Sequence, residues 1–204
     1  MIKQKKLNCK SFFINYLNNL TNILTEKHLN ELEKITKFFE KNIINKKKIF
    51  ICGNGGSASI ANHFLCDFNK GIKISSGKKL SPKVISLSNS IELITAISND
   101  LNFDKIFEFQ LESLSDKKDI LFILSCSGNS KNILNAAKFA KKNKLELISI
   151  IGFGDNKFLK NLSKYYINLQ TRNYGLTEDI FQTIMHMISQ YLRLKYSKKK
   201  IEIL

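Results

Sequence analysis

Residues 49–64 read IFICGNGGSASIANHF, an apolar run that passes through three glycines into helix-like sequence from Ser57. A short apolar run bounded by turn residues reads as a buried strand. A buried strand that turns straight into a helix is the repeating element of a parallel sheet covered on both faces. Gly53, Gly55 and Gly56 let backbone N–H groups come close to an anion, and Ser57 stands where a helix start offers more donors. In kind this is a cradle for a sugar phosphate or a nucleotide. Many strand-to-helix turns are merely tight, however, and the stretch matches neither the dinucleotide fingerprint nor the Walker lysine motif.

Working outward, four more short apolar runs follow the first, Lys48–Cys52: Lys83–Leu87, Ile120–Leu124, Leu145–Ile151 and Tyr165–Leu169, each separated from the next by helix-like sequence. Alternation of this kind predicts an α/β fold, three layers deep, with a central five-stranded parallel sheet. Ahead of it, Phe13, Tyr16, Leu17, Leu20, Ile23 and Leu24 recur at three- and four-residue steps, and Leu29, Leu32, Ile35, Phe39 and Ile43 repeat the pattern. These are two N-terminal amphipathic helices, and His28 on the second is assigned to structure. The stretch from Gly71 to Ser81 holds the only proline and several small polar residues and is expected to be a surface loop. A last helix is expected from Thr177 to Lys195, with a frayed lysine-rich end.

A second polar turn lies in DILFILSCSGNSKNIL, where a buried strand meets Ser125, Cys126, Ser127, Gly128, Asn129 and Ser130 before a helix. Hydroxyl, amide and glycine positions at a helix start can surround the terminal oxygens of a phosphate monoester, although a plain serine cap would read the same way. Two strand–turn–helix units in one parallel sheet favour the phosphate, because ligands bind beyond the carboxyl ends of the strands.

Composition narrows the partners. The 204 residues are 43% hydrophobic, enough for one domain with a core of its own. A net charge of +16 would ordinarily suggest nucleic acid. Here Arg172 and Arg193 are the only arginines, and lysine lacks the planar fork that reads bases and phosphates. The lysines accompany many Asn and Ile residues, so the charge reads as compositional bias and nucleic acid is not expected as a partner. Cys9, Cys52, Cys66 and Cys126 show no metal or redox spacing and read as free thiols of a cytoplasmic protein. No window approaches a membrane span or a signal peptide, so no membrane partner is expected either.

GNGGSA leading into a helix with HF, SND before an aromatic, and S-x-SGNS opening a helix together resemble the SIS domain of phosphoheptose isomerases over nearly the whole chain. The resemblance implies a single SIS domain over 1–204, with 1–46 a helical segment used in oligomer packing and 47–204 the α/β core. It implies sedoheptulose 7-phosphate as substrate, with another sugar phosphate as the alternative that the changed residues at 67 and 178 leave open, a glycero-manno-heptose 7-phosphate product destined for surface polysaccharide, and a homotetramer. Ser57, Ser125, Ser127 and Ser130 would then hold the phosphate with Gly55, Gly56 and Asn129, and Asn54, Asn99 and Asp100 would hold the sugar. For Asn99 and Asp100 a helix-ending turn is the alternative.

The family's HxxxE pair falls on His63 and Asp67, four apart on one helix face, with a carboxylate one methylene shorter. On the last helix the family supplies a Gln and, eight residues on, a His; Glu178 and His186 have that spacing, while a second register uses Gln182 and Gln190 and leaves no histidine. The first register makes His63, Asp67, Glu178 and His186 the ligands of zinc or another divalent metal, with Asp67 the catalytic base and His186 its partner. Two rivals come from other classes. A non-catalytic SIS protein that binds a partner, as the relatives that associate with the bacterial replication initiator do, would lack the carboxylate at 67. A SIS sensor would bring a DNA-binding segment, and the leading helices show no recognition-helix pattern.

Overall fold

The computed structural model describes residues 8–154 and 156–197. Five strands, β1 (Lys48–Cys52), β2 (Lys83–Ser86), β3 (Ile120–Ser125), β4 (Glu146–Ile151) and β5 (Tyr165–Asn168), form one sheet in the order β2-β1-β3-β4-β5. Every neighbouring pair is parallel. The chain steps outward from β1 to β2 on one side and from β3 to β4 on the other, so β1 and β3 flank the point where strand order reverses. In open parallel sheets that crevice is where ligands bind, and both polar turns open onto it.

Alternate residues of the strands feed two cores. Ile49, Ile51, Phe122 and Leu124 face a layer made by α2 (Glu26–Ile44), α3 (Gly56–Cys66) and α9 (Tyr174–Tyr196). Phe50, Cys52, Leu121 and Ile123 face α5 (Ile91–Asp100), α6 (Ile106–Leu114), α7 (Lys131–Lys142) and α8 (Lys157–Leu162). On the first side Phe39, Phe64, Phe68 and Phe122 interlock, with ring centroids 5.3 Å apart for Phe39 and Phe122 and 3.9 Å for Phe64 and Phe68. Helix α1 (Cys9–Asn22) differs: none of its residues is buried, and Phe12, Phe13, Ile14 and Leu17 are exposed.

The expected loop from Gly71 to Ser81 is corrected in its first half. Helix α3 runs on as a π-helical turn, Asp67–Ile72, and a short α4, Lys73–Ser75, before the chain loosens. Ile72 is fully buried there, and the Asn69 side chain accepts from the Val84 N–H at 2.9 Å and donates to its carbonyl at 2.8 Å. These are tertiary ties that local composition does not reveal. Helix α9 begins three residues earlier than expected because the Asn173 side chain accepts from the Leu176 N–H, 3.0 Å away. It continues through Tyr196, and the rest of the expected frayed end, 198–204, lies outside the described residues.

Two helices end with lysine where glycine is usual. After α7, Leu145 N–H donates to the Ala140 carbonyl (2.9 Å) and Lys144 N–H to that of Lys141 (3.4 Å), a Schellman pattern with Lys144 at φ 61°. Lys46 after α2 repeats it at φ 59°. A β-carbon is unfavourable in this left-handed region, so Lys144→Gly is expected to stabilise the fold by about 1 kcal/mol. Calorimetry would read this as a Tm higher by roughly 2–4 °C.

Candidate active site

The turn after β1 and the turn after β3 are tied to each other. Asn54 and Asn132 exchange side-chain amide hydrogen bonds of 3.0 and 2.9 Å, and the Ser88 hydroxyl donates to the Gly53 carbonyl at 2.9 Å. Gly55 and Gly128 take φ of 55° and 68°, which bends each chain back toward the crevice. Neither N-cap residue, Gly55 of α3 or Ser130 of α7, bonds the first turn through its side chain, although the Asn132 side chain accepts from the Ile133 N–H at 2.9 Å. The remaining free N–H groups of these two helix starts and the Ser130 hydroxyl are therefore available to an anion. Between the turns lies a cavity of about 280 Å³ lined by Asn54, Gly55, Gly56, Ser57, Ser125, Ser127 and Ser130.

Further along α3 and its π-helical continuation, against α9, stands a second cluster. His63 Nε2 lies 3.2 Å from His186 Nε2 and 3.6 Å from Asp67 Oδ1, and His186 Nε2 lies 3.9 Å from Asp67 Oδ2. Four ligands about 2.0–2.1 Å from a tetrahedral zinc would stand about 3.3–3.4 Å from one another. One donor atom from each of the three residues lies within 4.8 Å of the others, looser than that spacing but close enough to gather one ion, and two imidazoles with a carboxylate are the chemistry such an ion takes, so the residues fit a divalent metal. The side chains of His63, Asp67 and His186 are 48%, 21% and 44% exposed, which leaves the cluster open to a substrate.

Gly56 abuts Glu178, and His63 abuts His186, so α3 and α9 run in the same direction. Ser57 and His63 are six residues apart, about 9 Å of helix; Glu178 and His186 are eight apart, about 12 Å. The anion cavity and the histidine–aspartate cluster are thus held at a distance set by two helices.

Comparison with known proteins agrees with this geometry. Residues 12–152 match the family model described as SIS domain. A phosphoheptose isomerase of Helicobacter pylori is 33% identical over 178 residues, 85% of this chain and 91% of that one. The chain belongs to the phosphoheptose isomerase branch of the SIS-domain family. A Campylobacter concisus phosphoheptose isomerase is 40% identical over 126 residues, 62% of this chain and 65% of that one. The structure of the Neisseria gonorrhoeae phosphoheptose isomerase superposes with a TM-score of 0.77 at 25% identity, covering 90% of this chain and 95% of that one.

Against the SIS-family expectation, several residues fall elsewhere. Glu178, expected with the metal ligands, is not in the cluster, because two turns of α9 separate it from His186; its carboxylate enters the cavity over Gly56 and lies 3.9 Å from the Cys126 thiol. Gln190 is exposed, whereas Gln182 sets its amide nitrogen 2.9 Å from His186 Nε2, so elements of both registers meet at one imidazole. Asn129 is drawn aside by Asn156, whose amide donates to it at 2.7 Å. Asn99 and Asp100 close α5, where the Asn99 amide donates to Asp100 at 2.9 Å, and Asp100 lines a separate groove with Lys105 and Phe109. They form the helix-ending turn that was the alternative.

Sequence reasoning missed Asn132 and Tyr174 in and around the cavity and named Cys126 only as part of the second turn, with no role of its own. Asn132 follows the SGNS turn by two positions, which was the one signal available. It also missed Tyr16, whose hydroxyl donates to Asp179 at 2.6 Å and so ties α1 to the start of α9. That bond pushes the Tyr16 hydroxyl up to about 12. Burial, with the Glu178 carboxylate adding, pushes the Cys126 thiol up to about 11, against the Ser57 hydroxyl, which acts the other way. The thiol is therefore neutral and a weak nucleophile at pH 7. Mass spectrometry after brief iodoacetamide treatment is expected to find exposed Cys9 and Cys66 carboxamidomethylated well before Cys126.

Proposed function

We propose that this chain interconverts sedoheptulose 7-phosphate and D-glycero-D-manno-heptose 7-phosphate. The observation that carries the reading is the spacing of two unlike sites along α3 and α9: an anion cradle at one end, an acid–base cluster at the other, separated by about the length of an extended seven-carbon phosphate ester. The relatives' names point to the same reaction.

In this reading Ser57, Ser125, Ser127 and Ser130, with the N–H groups opening α3 and α7, hold the phosphate, and Asn54 meets the sugar chain. Asp67 takes the proton from C1 of the ketose and returns it to C2 of the enediol, while a proton passes from the C1 oxygen to the C2 oxygen with His186 as the shuttle. His63, Asp67 and His186 would hold zinc or another divalent ion, which when bound supplies Lewis acidity toward the substrate oxygens. Glu178 faces the sugar chain from the cavity wall.

A non-catalytic partner-binding role is not favoured, because the carboxylate at 67 is present and stands between two histidines. Among the described residues no helix is long and apolar enough to cross a membrane. The proposal extends to a cytoplasmic homotetramer serving heptose supply for surface polysaccharide, with 1–46 as the packing segment of a single domain. The exposed Phe12, Phe13, Ile14 and Leu17 of α1 support that packing role.

The test is isomerisation of sedoheptulose 7-phosphate by metal-stripped protein with and without added zinc. Zinc-dependent formation of the aldose is the expected result. No product with any divalent metal tried would overturn the assignment.

A further inference from the structure

The inner face of α9 is apolar, built from Ile180, Phe181, Ile184, Met185, Ile188 and Leu192, yet Ser189 sits in it with no exposure at all. A buried hydroxyl is unfavourable unless it finds a partner. Ser189 Oγ lies 3.1 Å from Asp67 Oδ2 and 3.2 Å from the carbonyl of His186, and the carboxylate is the stronger acceptor of its single proton.

Asp67 needs such a partner. It opens the π-helical turn, where the backbone departs from α geometry, and its carboxylate reaches one methylene less far than a glutamate's. Its two oxygens are divided: Oδ1 toward His63 at 3.6 Å, Oδ2 toward His186 at 3.9 Å and Ser189 at 3.1 Å. Of these contacts the hydroxyl is the one within ordinary hydrogen-bond length. We propose that Ser189 is a positioning residue for Asp67, and that this hydroxyl and the short carboxylate work as a pair. The serine fixes which way the carboxylate lies between the histidines, and the aspartate in turn gives the buried hydroxyl its acceptor. The inference rests on the isomerase reading for its kinetic consequences, but not for its structural one.

The structural test is the crystal structure of Ser189→Ala beside that of the unaltered protein, in which the Asp67 carboxylate is expected to swing away from His186 or divide between rotamers. In kinetics, losing a hydrogen bond to a charged group is expected to lower kcat about tenfold or more, with KM changed less than twofold. The loss should depend on the short carboxylate: in the Asp67→Glu background, adding Ser189→Ala should cost less than twofold. Ser189→Cys keeps the shape with a weaker donor, should fall between serine and alanine, and carries the comparison if the alanine variant folds poorly. An unmoved Asp67 in the variant crystal, or an equal loss of kcat in both backgrounds, overturns the pairing. If the unaltered protein fails to isomerise sedoheptulose 7-phosphate, the isomerase reading falls alone, and the position of Asp67 in the two crystals decides the role of Ser189.

Discussion

Asp67→Asn is expected to lower kcat for heptose 7-phosphate isomerisation by roughly 10³-fold, the middle of the range for removing a general base. The amide keeps the size of the carboxylate and can still meet Ser189, so the fold should survive. What is lost is the ability to accept a proton from carbon and, with it, the anionic member of the His63–Asp67–His186 set. Zinc affinity should fall together with turnover, as a chelator-competition titration would show. Binding of the substrate's phosphate end should change little, since Ser57 lies ten residues from Asp67, nearly three helical turns. Loss of activity with phosphate affinity intact would separate the two sites in function as they are separated in space.

Gly53→Ala should do the opposite, leaving the chemistry's groups in place while breaking the frame that holds them. A β-carbon at Gly53 would stand 2.7 Å from the Ser57 Cβ and 2.8 Å from that residue's backbone carbon and oxygen. Backbone in the first turn of a helix cannot swing aside as a flexible side chain can, so α3 must shift. Overpacking of this kind costs about 3 kcal/mol, read as a Tm lower by roughly 6–12 °C. KM should rise as the Ser57 hydroxyl and the α3 N–H groups leave the anion. Gly55 separates strain from clash: nothing lies within 4 Å of an added Cβ, but φ 55° with ψ −127° is backbone that glycine alone adopts readily, so alanine there meets only the backbone cost, about 2–3 kcal/mol.

Much of this was legible in the residues. Apolar runs bounded by turns located all five strands to within one residue, because a buried parallel strand such as β3 leaves so direct a pattern and the edge strands keep enough of it. The glycine and serine turns could be placed at the starts of two helices because backbone freedom and hydroxyls after a buried strand are written in residue type, and the structure sets both beside one cavity. His63 and Asp67 could be paired from their spacing alone. Glu178 was misplaced because a shared helical side says nothing about separation along the axis, and the carboxylate follows the cavity, not the histidine. Asn99 and Asp100 carry polar groups suited to a sugar, and they stand at the exposed end of α5, where the Asn99 amide donates to Asp100. The π-helical turn was invisible because its causes, Ile72 under the sheet edge and Asn69 bonded to Val84, are contacts between segments far apart in the chain. Ser189 reads as an ordinary polar residue until the fold brings the Asp67 carboxylate to its hydroxyl.

The parallel run of α3 and α9 makes the molecule a caliper. Its jaws are the serine turns and the Asp67 cluster, and their opening is set by helical rise, which cannot stretch. A five-carbon ketose phosphate seated by the same serines would leave its reacting carbons two positions short of Asp67, while a seven-carbon chain reaches. Discrimination by chain length then needs no separate contact with each hydroxyl; it is already written into how many residues lie between Ser57 and His63.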